Sequence, residues 1–174
     1  MPAVEVMEVV AHCRFLVGMN HGKMGLVEKK IPGATETVIM VYDKRDRLVL
    51  TQDGNMRNHI VNNVPSPQWM ATLYDNNFDR PKITGIYTQT GTTTDLINNI
   101  AGALNYIPET ELYKLSETYY DNYTGLSGYT YTKPVDGYEP VENTDIKGLV
   151  TYTKTRILDS DVWLTTVNYY DKEY

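Results

Sequence analysis

The chain has 174 residues, with 16 Lys and Arg against 22 Asp and Glu for a formal charge of -6, and a single cysteine. That length suits one domain spanning residues 1–174 that buries roughly two thirds of the surface its unfolded form exposes, while the lone Cys13 excludes an internal disulfide or a multi-cysteine zinc site. The net negative charge lies in residues 101–174, which carry six basic and twelve acidic side chains, and an acidic chain lacks the attraction that drives phosphate-backbone binding, so no nucleic acid is expected as a partner.

Residues 3–17 read as an amphipathic helix. Val4, Val6, Met7, Val9, Val10, Cys13, Leu16 and Val17 surround a narrow polar stripe of Glu5, Glu8 and His12, and Gly18 is a good stop. Glu5 and Glu8 stand where a secretory leader would be basic, and His12 and Arg14 interrupt the apolar run. Neither a leader nor a membrane span is expected, which points to a soluble protein made in a cytoplasm, with no membrane partner.

The next segment, GMNHGKMG at 18–25, has the flavour of a phosphate-binding loop but fails it. Only three residues separate Gly18 from Gly22, Met24 replaces the metal-binding hydroxyl, and a helix precedes the loop where a strand should. Its lysine, Lys23, with Lys29 and Lys30, is instead expected to face an acidic neighbour, such as the C-terminal third of another copy.

Thr37–Tyr42 and Arg47–Gln52 read as strands joined by a charged turn at 43–46, with an Asp53-Gly54 turn after them. The first is apolar on both faces, as a central strand would be. From Met56 to Lys82 the pattern is poor and includes three prolines in VPSPQWMATLYDNNFDRP, so an extended loop is expected, with a short helical turn near Trp69–Tyr74. A strand follows at Ile83–Gln89. Two helices then come in succession, one over Thr94–Asn105 with Leu96, Ile97, Ile100, Ala101 and Leu104 on a stripe, the other from Pro108 to Gly125 with Leu112, Leu115 and Tyr119 together. Two strands, Lys147–Leu158 and Val162–Tyr170, close the chain as a hairpin. The fold class expected is α+β: an N-terminal amphipathic helix, a mostly antiparallel sheet, mid-chain helices packed on it and a C-terminal hairpin.

Motifs of chemistry are weak throughout. DNNFDR at 75–80 alternates oxygen side chains as a calcium loop does, but Arg80 and Ile86 replace the required glycine and glutamate. His12, His21 and His59 have no paired metal spacing, Ser127 in GLSG lacks a nucleophile elbow, and Cys13 reads as a core thiol. No catalytic residue, metal or cofactor is expected.

Fifteen tyrosines against two Phe and two Trp, with 21 Thr and 13 Asn, leave two readings. Such residues fill sheet faces, and they also serve surfaces that meet a partner. In element order the chain resembles the small neck and tail-completion proteins of tailed phages, the tail-terminator type in particular. The segments that carry the likeness are VEVMEVVAHCRFLV, TVIMVYDKRDRLVL, DLINNIAGALNYI and SDVWLTTVNYY. The resemblance implies a non-enzymatic virion structural protein, assembled in the host cytoplasm with copies of itself and other virion proteins in a ring or shell. Tail terminator, head-tail connector, baseplate and capsid cement roles are all open to it. Trp69, Tyr129, Tyr131 and Tyr138, large aromatics in irregular segments, are the candidate interface anchors beside Lys23, Lys29 and Lys30. The alternatives are a module whose tyrosines stack on a carbohydrate or other small ligand, and a cytoplasmic enzyme whose residues converge from distant segments.

Overall fold

The computed structural model describes residues 13–14, 25–31, 33, 35–129 and 146–170. In chain order the elements are β1 (Cys13–Arg14), β2 (Leu26–Lys30), β3 (Thr37–Tyr42), β4 (Leu48–Gln52), a one-turn helix α1 (Gly54–Arg57), β5 (Ile60–Val61), β6 (Val64–Pro65), β7 (Gln68–Tyr74), β8 (Pro81–Thr88), α2 (Thr93–Gly102), β9 (Leu112–Tyr120), β10 (Val150–Arg156) and β11 (Trp163–Val167). Among the described residues, nine strands form one antiparallel sheet in the order β1-β2-β3-β4-β7-β8-β9-β10-β11, and β5 with β6 makes a separate ribbon. Each described strand of the large sheet lies beside the strand before it in the sheet, so the chain meanders; residues 53–67 leave the sheet for α1 and the β5–β6 ribbon, and residues 89–111 leave it for α2.

The core lies where α2 covers the sheet. β7 alternates with period two, burying Trp69, Ala71 and Leu73, and β8 answers with Ile83, Gly85 and Tyr87 on the same face. Val41 and Leu50 extend that face, and Leu96 and Ile100 of α2 close over it with Ile107. The helix starts cleanly because the Thr92 hydroxyl accepts the Asp95 amide at 3.1 Å and donates to the Asp95 carboxylate at 2.6 Å.

Arginines tie three connections together at one end of the sheet. Arg47 pairs with buried Asp43 at 2.6 Å and with Asp79 at 2.8 Å, joining the β3–β4 turn to the β7–β8 turn. Arg80 pairs with Asp75 at 2.7 Å and with Asp121 beyond β9 at 2.6 Å, while stacking over Tyr120 and Phe78. Asp121 in turn accepts the Gly148 amide ahead of β10 at 2.6 Å. In DNNFDR, Asp75 accepts the Phe78 amide as well as the Arg80 side chain, so its oxygens shape the turn.

These observations correct the expected α+β layout. The chain is mainly antiparallel β, with α2 the one helix that contributes buried residues among the described elements. Cys13 and Arg14, expected inside the first helix, pair as strand with Lys29 and Glu28; the rest of that helix, like most of GMNHGKMG, lies outside the described residues. The supposed loop of residues 56–82 contains β5, β6, β7 and the start of β8, and its prolines sit at strand ends: Pro65 ends β6, Pro67 precedes β7 and Pro81 begins β8. The second mid-chain helix is a 3-10 turn over Glu109–Glu111 followed by β9. There the register slips between Thr84 and Gly85, whose partners are Ser116 and Lys114, and the bulge breaks the period-two pattern that would have marked a strand. Asp53 and Gly54 open α1, a single helical turn, with the Asp53 carboxylate accepting the Met56 amide. The strand pair β3–β4, the helix α2 and the closing hairpin lie where the sequence places them, within a few residues.

Candidate functional site

Among the described residues, β11 ends the strand order and none pairs with its outer edge. Its hydrogen-bonding phase follows from its neighbours: the Ile157 amide donates to the Val162 carbonyl and the Asn168 amide to the Thr151 carbonyl. Bonded pairs recur every second residue in an antiparallel ladder, so Leu164 and Thr166 face β10, and the peptide groups of Trp163, Thr165 and Val167 point outward. Natural edges are commonly guarded by lysine, proline or a bulge. Trp163–Val167 has none of these.

Apolar side chains crowd the same end. Ile157, Leu158 (66% exposed) and Val162 form the β10–β11 turn, and Leu164 (59% exposed) stands on the open face of the edge strand. A second apolar projection is the β5–β6 ribbon, which exposes Ile60, Val61 and Val64. Its turn is Asn62-Asn63 with both φ positive (50° and 62°), the geometry of a tight hairpin that asparagine tolerates. Arg57 and Asn58 at its base both hold Glu36, at 3.0 and 2.9 Å, which fixes the ribbon to the turn before β3.

On its other face the C-terminal part of the sheet is roofed by the 121–129 loop. The Thr151 hydroxyl donates to the Asn122 carbonyl at 2.7 Å and the Tyr152 hydroxyl to the Thr124 carbonyl at 2.9 Å, and Gly125 takes the left-handed φ of +84° that the bend needs. Beneath it Tyr119 and Tyr152 stack with centroids 4.0 Å apart. Glu117 accepts from Tyr119 at 2.6 Å and from Lys114 at 2.9 Å. Burial raises the Glu117 pKa, but these two bonds outweigh it and hold the carboxyl below its usual range. Burial and the adjacent carboxylate together push the Tyr119 hydroxyl up.

Among the sequence-nominated residues, Trp69 is fully buried, its indole N–H donating to Gln89 at 2.8 Å, so it anchors the core and not an interface. Tyr129, half exposed, lines the cleft beneath the roofing segment. Lys29 and Lys30 are exposed on β2, near the opposite edge of the sheet, and are not brought together with Tyr129. Lys23, Tyr131 and Tyr138 lie outside the described residues. Sequence reasoning missed the exposed Ile-Val-Asn-Asn-Val ribbon, although paired asparagines between β-branched residues are a hairpin signal. It also missed the outward phase of β11, which only the register reveals. Comparison with protein families, with curated proteins and with solved structures finds no match to this chain.

Proposed function

We propose that the chain is a non-enzymatic structural protein that joins copies of itself or neighbouring subunits through its open β11 edge, as part of the neck or tail of a tailed-phage particle. The observation that carries the assembly reading is the outward phase of the Trp163, Thr165 and Val167 peptide groups on an edge with which no described residue pairs, bordered by exposed Leu164, Val162, Leu158 and Ile157. Five residues of strand pairing alone make a small contact, and a stable interface buries roughly 1,000 Å² or more. The apolar turn supplies the additional area, excluding water from the new ladder bonds. The phage assignment rests on the likeness in element order to neck and tail-completion proteins, carried by VEVMEVVAHCRFLV, TVIMVYDKRDRLVL, DLINNIAGALNYI and SDVWLTTVNYY; tail terminator, connector, baseplate and cement positions are all open to it.

Light scattering on the purified protein over a range of concentrations tests this reading. Association that grows with concentration, or a mixed species with neck or tail proteins, is expected. A strict monomer that binds no particle component would overturn it.

A further inference from the structure

The cleft beneath the roofing loop, about 330 Å³ in volume, has a chemistry that strand pairing does not use. Lys154 on β10 stands opposite Glu117 on β9 and opposite Thr165 on β11. Side chains directly opposite share a face, so a carboxylate, an ammonium and a hydroxyl form one row across three strands, roughly 10 Å from end to end at the usual strand spacing. Trp163 lies on the same face two residues along β11, while Ser127 and Tyr129 reach the cleft from the loop above.

We propose that this cleft binds a saccharide, with Trp163 and Tyr129 supplying apolar faces for its C–H groups and with Glu117, Lys154 and Thr165 bonding its hydroxyls. The pattern disfavours a ligand of single charge and a purely apolar one on physical grounds. An anion would meet the Glu117 carboxylate, a cation would meet Lys154, and an apolar molecule would desolvate both without offering either a partner. A neutral polyhydroxylated ligand satisfies both, because each hydroxyl donates and accepts. Glu117 already accepts one bond on each oxygen and retains lone pairs for more. The row spans one to two sugar rings, and aromatic side chains flanking a few convergent polar groups are a common form of small-ligand site. The inference is independent of the assembly reading, since it uses the face of the sheet and not its edge.

Tryptophan fluorescence makes a direct test. The chain has two tryptophans, and Trp69 is fully buried, so a change on titration reports chiefly on Trp163. Methyl glycosides of glucose, galactose and mannose, and N-acetylglucosamine, are the probes. A saturable change with at least one of them is expected, weakened roughly tenfold or more in Tyr129→Ala and in Glu117→Gln. Tyr129 is half exposed, so its truncation leaves the fold intact and keeps the test valid should Glu117→Gln perturb the Lys114 and Tyr119 contacts. No response to any probe, or a response unaltered by Tyr129→Ala, would overturn the proposal whatever the association state of the protein.

Discussion

Arg80 ties the turn end of the sheet together, because its guanidinium bonds Asp75 and Asp121 at once and lies over two aromatic rings. The Arg80 bonds and the Gly148 amide draw the Asp121 carboxyl down to about 2 from an ordinary 3.8. A depressed carboxyl stabilises the fold fully above its unfolded pKa and loses that contribution as pH falls through the folded value. Stability should therefore decline between pH 4 and pH 2, and Asp121→Asn should flatten part of that decline in thermal melts while lowering stability at neutral pH. Arg80→Ala should cost about 2 kcal/mol in urea unfolding, since it leaves two carboxylates without their charge-assisted bonds. Trp69 belongs to the same scale. Truncating it to Ala should cost roughly 3–5 kcal/mol, far beyond the half-unit typical of a surface position. Its segment is irregular in sequence only because small Ala71 and polar Gln68 and Thr72 disguise a strand that is apolar on one face.

At the scale of elements, legibility followed how cleanly one period ran. TVIMVY and the LINNIA stripe are unambiguous, and β3 and α2 stand where they predict. β9 was hidden because Leu112, Leu115 and Tyr119 also fit a helix, and because its bulge opposite Gly85 shifts the alternation by one residue. Tertiary pairing decided between the two: β9 fills the space between β8 and β10 and completes their ladders. Gly85 makes the bulge possible, since a Cβ there would lie 2.7 Å from the Tyr113 carbonyl oxygen, a backbone atom that cannot step aside. Gly85→Ala should destabilise by about 1–3 kcal/mol in chemical denaturation, whereas a substitution at Gly102, whose Cβ would meet nothing within 4 Å, should be tolerated. The candidate site was less legible than the fold. Tyr129 could be picked out as an aromatic in an irregular segment, but the row of Glu117, Lys154 and Thr165 exists only through the register of three strands.

For the whole molecule, the decisive feature is that no strand among the described residues pairs with the outer edge of β11. The strand's ladder phase assigns the Thr166 amide to β10 and the Thr165 amide to the outside. Proline removes an amide donor and is tolerated at an edge only where that donor faces outward. Thr166→Pro should consequently lower stability by about 2 kcal/mol or more through the lost ladder bond, and Thr165→Pro should leave the melting curve close to that of the parent. Sedimentation velocity of the parent and of Thr165→Pro is the most direct measurement of assembly through this edge. The parent should associate with rising concentration, and the folded variant should remain a monomer. An unassociated parent, or a folded Thr165→Pro that associates just as strongly, would contradict it.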